Sequence, residues 1–141
     1  MAESLSAFMQ ENVKQIGIKE VQVSDRFVDK DGQPVKWKIK AISADENQKL
    51  RKDCTIHVGR DKAGRTIEKR DNDYYQARLA AECVVWPDLR DVKLIENWGC
   101  STAEDLIRRM LSAGEFDKLV LAIVRHCGFK SEDELEEEVK N

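Results

Sequence analysis

Cys54-x-x-His57 and the adjacent pair His126-Cys127 are the thiols and imidazoles that could serve as metal ligands or nucleophile and base. Two thiolates and two imidazoles are the mixed ligand set that zinc takes in tetrahedral sites. Neither pair matches a zinc-finger spacing, however, and chain neighbours such as His126 and Cys127 rarely direct both side chains at one ion. Cys83 and Cys127 instead fall on apolar helical stripes, where a thiol behaves as a small hydrophobe. Nucleophilic catalysis would need Cys or Ser beside a base, and His57 and His126 are the two imidazoles available. Neither sits near a Gly-rich nucleophile turn, and the glycines never approach a phosphate-binding spacing. No catalytic residue, metal site or cofactor is therefore expected.

Charge excludes further classes. The 24 Lys and Arg nearly cancel the 27 Asp and Glu, so no global field draws the chain to nucleic acid or to a membrane. One local excess stands out. Residues 51–70 carry Arg51, Lys52, Arg60, Lys62, Arg65, Lys69 and Arg70 against Asp53, Asp61 and Glu68. Such a stretch could grip a phosphate backbone, but it has no aromatic residue for base stacking and its acids dilute it, so a solvated loop is the simpler reading. The longest apolar run, Leu119 to Val124, is six residues, against the roughly 20 that cross a bilayer. With no secretion signal at the start and four widely spaced cysteines, the chain is read as a cytosolic protein with free thiols.

The elements that position these residues follow from periodicity. Leu5, Phe8, Met9 and Val13 predict a short amphipathic helix from Ser4 to about Val13. Residues 21–42 predict a β-hairpin: Val21, Val23 and Phe27 share one face, Val35, Trp37, Ile39 and Ala41 share another, and Asp31-Gly32 lies in the connecting loop. A one-residue slip would expose Trp37 and Ile39 and turn Lys36, Lys38 and Lys40 inward, so the register is specified. A lone hairpin is marginal in water, so another element must cover the Trp37 face.

Ser43 and Glu46 form a capping box that starts a helix over 44–53. Residues 54–70 fit either a weaker second hairpin or a mobile loop. Asp71 or Asn72 caps a helix over 72–85 that must stop before Pro87. Residues 86–98 then read as an irregular segment anchored by Trp86, Leu89 and Trp98. A second capping box, Ser101 with Glu104, starts a helix over 102–113, and after the linker "SAGE" another runs over 115–127 to a Gly128 cap. The fold class is α+β: a mainly helical single domain, residues 1–130, with one N-terminal β-hairpin and a C-terminal helical hairpin. Residues 131–141, with six acids, one lysine and a third capping box at Ser131 and Glu134, form an acidic tail or short helix.

These segments together resemble the XkdN-like tail assembly chaperones of tailed phages and defective phage-like elements. The resemblance rests on Asp25-Arg26-Phe27, Asp31-Gly32, Trp37-Lys38-Ile39, Glu46-Asn47 with Leu50-Arg51, Cys83-Val84 with Pro87-Asp88-Leu89, Met110-Leu111 with Gly114-Glu115, and Gly128-Phe129, in that order. Trp86 stands where the family pattern has Tyr, Ala113 where proline is common, and the 54–70 loop is this chain's own. The resemblance implies a non-enzymatic role in the cytoplasm of the bacterial host. Such a protein binds the tape measure protein, keeps it soluble while tail tube subunits polymerise around it, and is lost from the finished virion.

The candidate partner-binding residues are Trp86, Leu89 and Trp98, lining a groove beside the helical hairpin, and Lys36, Lys38 and Lys40 on the wet face of the β-hairpin. Partners are the tape measure protein, the tail tube protein and other copies of the chain. A small α+β interaction module of unrelated function, or a weak nucleic-acid binder using residues 51–70, are the alternatives.

Overall fold

A computed structural model describes residues 4–129, which form an α+β domain with small antiparallel sheets and five α-helices among the described residues. The expected acidic tail and its capping box lie outside the described residues. The first segment departs from expectation. In place of one amphipathic helix it makes two single 3-10 turns, Ser6–Phe8 and Gln10–Asn12, broken at Met9, which is extended. A helix this short needs an apolar face buried against something. Here Leu5 and Phe8 are 71% and 78% exposed, so no tertiary packing supports one.

A hairpin forms with Trp37 and Ile39 facing inward as expected, but its first strand lies earlier than the expected Val21–Phe27 stretch, and residues 22–27 form a loop. Strand β1, Lys19–Val21, runs antiparallel to β2, Trp37–Ile39, pairing Lys19 with Ile39, Glu20 with Lys38 and Val21 with Trp37. Its far end is closed by the Val28–Pro34 bridge and a turn in which the Asp29 carboxylate accepts from the backbone N–H of Asp31 and Gln33. Gly32 there has φ +78, a backbone conformation that a side chain disfavours. Trp37 and Ile39 are buried while Lys36, Lys38 and Lys40 are exposed, as the alternation requires.

The second edge of β2 is taken by a strand that periodicity alone missed. Helix α2, Asn72–Cys83, ends two residues earlier than expected, and β5, Val84–Trp86, pairs antiparallel with β2 in the sheet order β1-β2-β5. Segment 86–98 is accordingly not irregular throughout: β5 is followed by helix α3, Val92–Asn97, capped by Asp91. Val84, Val85 and Trp86 are β-branched or aromatic, favouring extended backbone directly before a proline. Upstream, α1 spans Ala44–Asp53 with both bonds of its capping box in place. The 54–70 segment resolves into a second hairpin, β3 (Thr55–Arg60) with β4 (Thr66–Arg70).

The last two helices begin differently from their sequence signals. In α4, Ala103–Met110, Thr102 accepts from the Asp105 N–H, so the cap is Thr102 and not Ser101. The next stretch, "SAGE", is no linker. Ser112 and Glu115 form a complete capping box, Leu111 is extended, and α5 spans Ala113–Cys127. Two overlapping cap patterns cannot be ranked without knowing where the preceding chain arrives. The end of α5 is as expected: Gly128 has φ +83, and Phe129 N–H bonds the Val124 carbonyl at 3.0 Å.

Helix α2 is the hub. It packs against α1, α4, α5 and β5, and buries Ala77, Leu79, Ala80, Ala81 and Cys83. Leu106 and Ile107 of α4, Leu119 and Ile123 of α5, and Trp37 and Ile39 of β2 complete one core.

An ion pair joins the loop after β1 to the α4–α5 junction. Arg26 donates from Nε to Glu115 Oε2 at 3.2 Å and from Nη2 to the Met110 carbonyl at 2.9 Å, and pairs with Glu115 Oε1 at 2.5 Å. The same guanidinium lies 5.2 Å from the centroid of the Phe27 ring, which meets Trp37 edge-on at 5.9 Å. The Arg26 side chain, with help from the backbone at Ser112, holds the Glu115 carboxyl far below its ordinary value of 4.5.

Two outcomes follow. Ile39→Ala should cost about 2–5 kcal/mol in urea unfolding, while Lys38→Ala, one residue away, should stay within about 0.5 kcal/mol; equal effects would refute the register. Because the Glu115 carboxyl is depressed in the fold, its contribution is present above its ordinary value and is lost as pH falls through the folded one. Glu115→Gln, which keeps a capping amide, should therefore destabilise by a constant amount above about pH 5. That gap should narrow steadily in melts taken at lower pH.

Candidate partner-binding face of the sheet

Among the described residues, no three His, Cys, Asp or Glu side chains come together in a way that could hold a metal ion. His57 is exposed on β3 with its Nδ1 3.9 Å from Glu68, whereas Cys54 is buried at the end of α1. His126 Nε2 donates to the Gly17 carbonyl at 2.7 Å, tying the last turn of α5 to the chain just before β1. Burial raises the thiol pKa of Cys54 and of Cys83, and for Cys83 the neighbouring Cys127 adds to it. A thiol held protonated in this way is a packing group and a poor nucleophile.

The six candidate binding residues divide among three environments. Leu89 is 2% exposed and belongs to the core. Trp98, at the end of α3, is half-buried against that core, and its carbonyl accepts from Arg109 Nη1 at 3.2 Å. Truncating either residue acts first on packing. The lysines and Trp86, assigned to separate surfaces by the sequence, are brought together. β2 pairs Lys38 with Glu20 on one side and with Trp86 on the other, so the three residues cross the outer face of the sheet as one row. Trp86 is 51% exposed there, with Lys36 and Lys40 on the same side of β2.

What sequence reasoning missed was β5, and with it the neighbour of Lys38. The Val-Val-Trp run before Pro87 was the available signal. Chemically the row offers one large amphipathic ring, suited to apolar contact, flanked by ammonium groups that favour carboxylates. Nearby, Ile16 and Ile18 remain exposed on the approach to β1.

The family model described as phage XkdN-like tail assembly chaperone protein matches residues 5–140. Over 139 residues the chain is 31% identical to the uncharacterized protein YqbN of Bacillus subtilis strain 168, covering 97% of this chain and 93% of that one. It is 30% identical, with the same coverage, to the phage-like element PBSX protein XkdN of the same organism. The crystal structure of YqbN superposes with a TM-score of 0.78 at 27% identity, covering 92% of this chain and all of the other. The D-R-F and G-E signatures that suggested the family in the sequence are the two ends of the Arg26–Glu115 pair, and the chain belongs to the XkdN-like phage tail assembly chaperones.

Proposed function

We propose that this chain binds the tape measure protein, keeps it soluble in the cytoplasm of the bacterial host, and hands it over while tail tube subunits polymerise around it. The role is non-catalytic, and the chaperone departs before the tail is complete. The observation that carries this reading is the outer sheet row, in which exposed Trp86 lies beside Lys38 and within the lysine face of β2. A tape measure is expected to be a long helical chain with apolar stripes. An amphipathic helix with acidic flanks is the segment this row would accept, its apolar residues on the Trp86 ring and its carboxylates on Lys36, Lys38 and Lys40. The apolar side chains left exposed on residues 5–18 extend the surface available to such a client.

Co-expression with the tape measure protein encoded beside it tests the reading. The tape measure should move from the pellet to the soluble fraction and co-elute with the chaperone in size-exclusion chromatography. A tape measure that still precipitates, with the chaperone eluting alone, would refute it. The combined variant Trp86→Ala, Lys36→Gln, Lys38→Gln, Lys40→Gln changes exposed side chains without setting like charges opposite Glu20 and should melt close to the parent. Its yield of soluble tape measure should nevertheless fall several-fold; an unchanged yield would remove this face from the mechanism.

A further inference from the structure

The β3–β4 ribbon contributes nothing to the core: every residue from Thr55 to Arg70 is exposed. A two-stranded ribbon is marginal in water by itself. The register places Ile56, Val58 and Ile67 on one face together with Lys69. That face borders a cleft of about 470 Å³ against the start of α2, at Asn72 and Asp73. The ribbon also holds the local basic excess, with Arg60, Lys62, Arg65 and Lys69 along it and Arg51 and Arg70 at its base.

The described chain ends beside that base. The left-handed turn at Gly128 directs Phe129 into a cleft of about 280 Å³, shared with Arg51, Arg70, Tyr75, Leu79 and Val124. Arg70 lies across the Tyr75 ring at 4.9 Å from its centroid. From this point residues 131–141 carry Glu132, Asp133, Glu134, Glu136, Glu137 and Glu138 against Lys140, with Leu135 among the acids and Val139 directly after them. Twelve residues reach at most about 40 Å when extended, whereas a six-residue strand is roughly 20 Å long. The segment can therefore reach the tip of the ribbon.

We propose that the acidic segment 131–141 is the ribbon's own occupant. Its carboxylates lie among Arg60, Lys62, Arg65 and Lys69, and Leu135 and Val139 meet the Ile56, Val58 and Ile67 face. Tethering at Phe129 gives the segment a high effective concentration at this surface. Its attraction is of the exposed, salt-sensitive kind. The segment then acts as a built-in competitor that keeps polyanions of the host off the ribbon, and an acidic partner must displace it to dock there.

Amide spectra of the full chain test the contact. At low salt, neutralising the segment (Glu132→Gln, Asp133→Asn, Glu134→Gln, Glu136→Gln, Glu137→Gln, Glu138→Gln) should shift the amides of Ile56–Arg60 and Thr66–Arg70, while those of α2 and α4 stay in place. The difference should vanish in about 0.5 M salt. The reciprocal variant Arg60→Ser, Lys62→Ser, Arg65→Ser, Lys69→Ser should move the amides of residues 131–141. Unshifted ribbon amides, or shifts confined to Lys36–Lys40, would overturn the proposal. So would shifts that depend on protein concentration, which would place the segment on a second copy. A ribbon indifferent to the neutralised segment but perturbed by a short DNA duplex would assign it to nucleic acid instead.

Discussion

Trp37 and Ile39 must be buried, and the hairpin that carries them cannot bury them. Two strands have no interior, so the inner face of β2 obliges the rest of the chain to build one. Helices α2, α4 and α5 supply side chains to it, and the last residues before Pro87 turn extended to pair with the free edge of β2. Helices α4 and α5 then close on α2. The Arg26–Glu115 pair holds this assembly in place from outside: it fastens the loop between β1 and β2 to the start of α5, over the Phe27–Trp37 contact. Its position at a helix N-terminus is electrostatically apt, because Glu115 already faces the positive end of the α5 dipole while capping it.

The same economy leaves much apolar surface outside the core. Residues 5–18, the β3–β4 ribbon and Trp86 all keep large side chains in solvent. The tail assembly chaperone family to which the chain belongs suggests phage tail proteins as partners for such surface. The outer sheet row illustrates how a candidate binding face arises at little structural cost. Burying Trp37 and Ile39 on one side of β2 necessarily turns Lys36, Lys38 and Lys40 to the other, and β5, recruited to complete the sheet, brings Trp86 with it.

Several features were legible because their causes are local. The inward face of β2 follows from strict alternation, the start of α1 from Ser43 and Glu46, the end of α5 from Gly128, and the family resemblance from signatures spread along the chain in order. The misplaced features share a different character. Ser4–Val13 has helical spacing, but a helix of that length depends on a surface to pack against, and the described residues provide none. Ser101 and Thr102 each open a plausible cap, and the path of the chain through Gly99, at φ +68, precedes the choice of Thr102. "SAGE" was legible in principle, since Ser112 and Glu115 have capping-box spacing, but the apolar stripe running through Leu111 masked the break.

The candidate binding face divides along the same line. Local pattern was enough to show that the lysines of β2 are wet, that Trp37 and Ile39 are not, and that the chain carries the signatures of its family, because period-two alternation and capping chemistry act between residues a few positions apart. Long-range packing settles that Val84–Trp86 is a strand, that Leu89 is core, that Trp86 is the neighbour of Lys38, and that Arg26 meets Glu115. Those outcomes join residues 48 and 89 positions apart in the chain, and no local propensity encodes which distant edge or charge will be free to receive them.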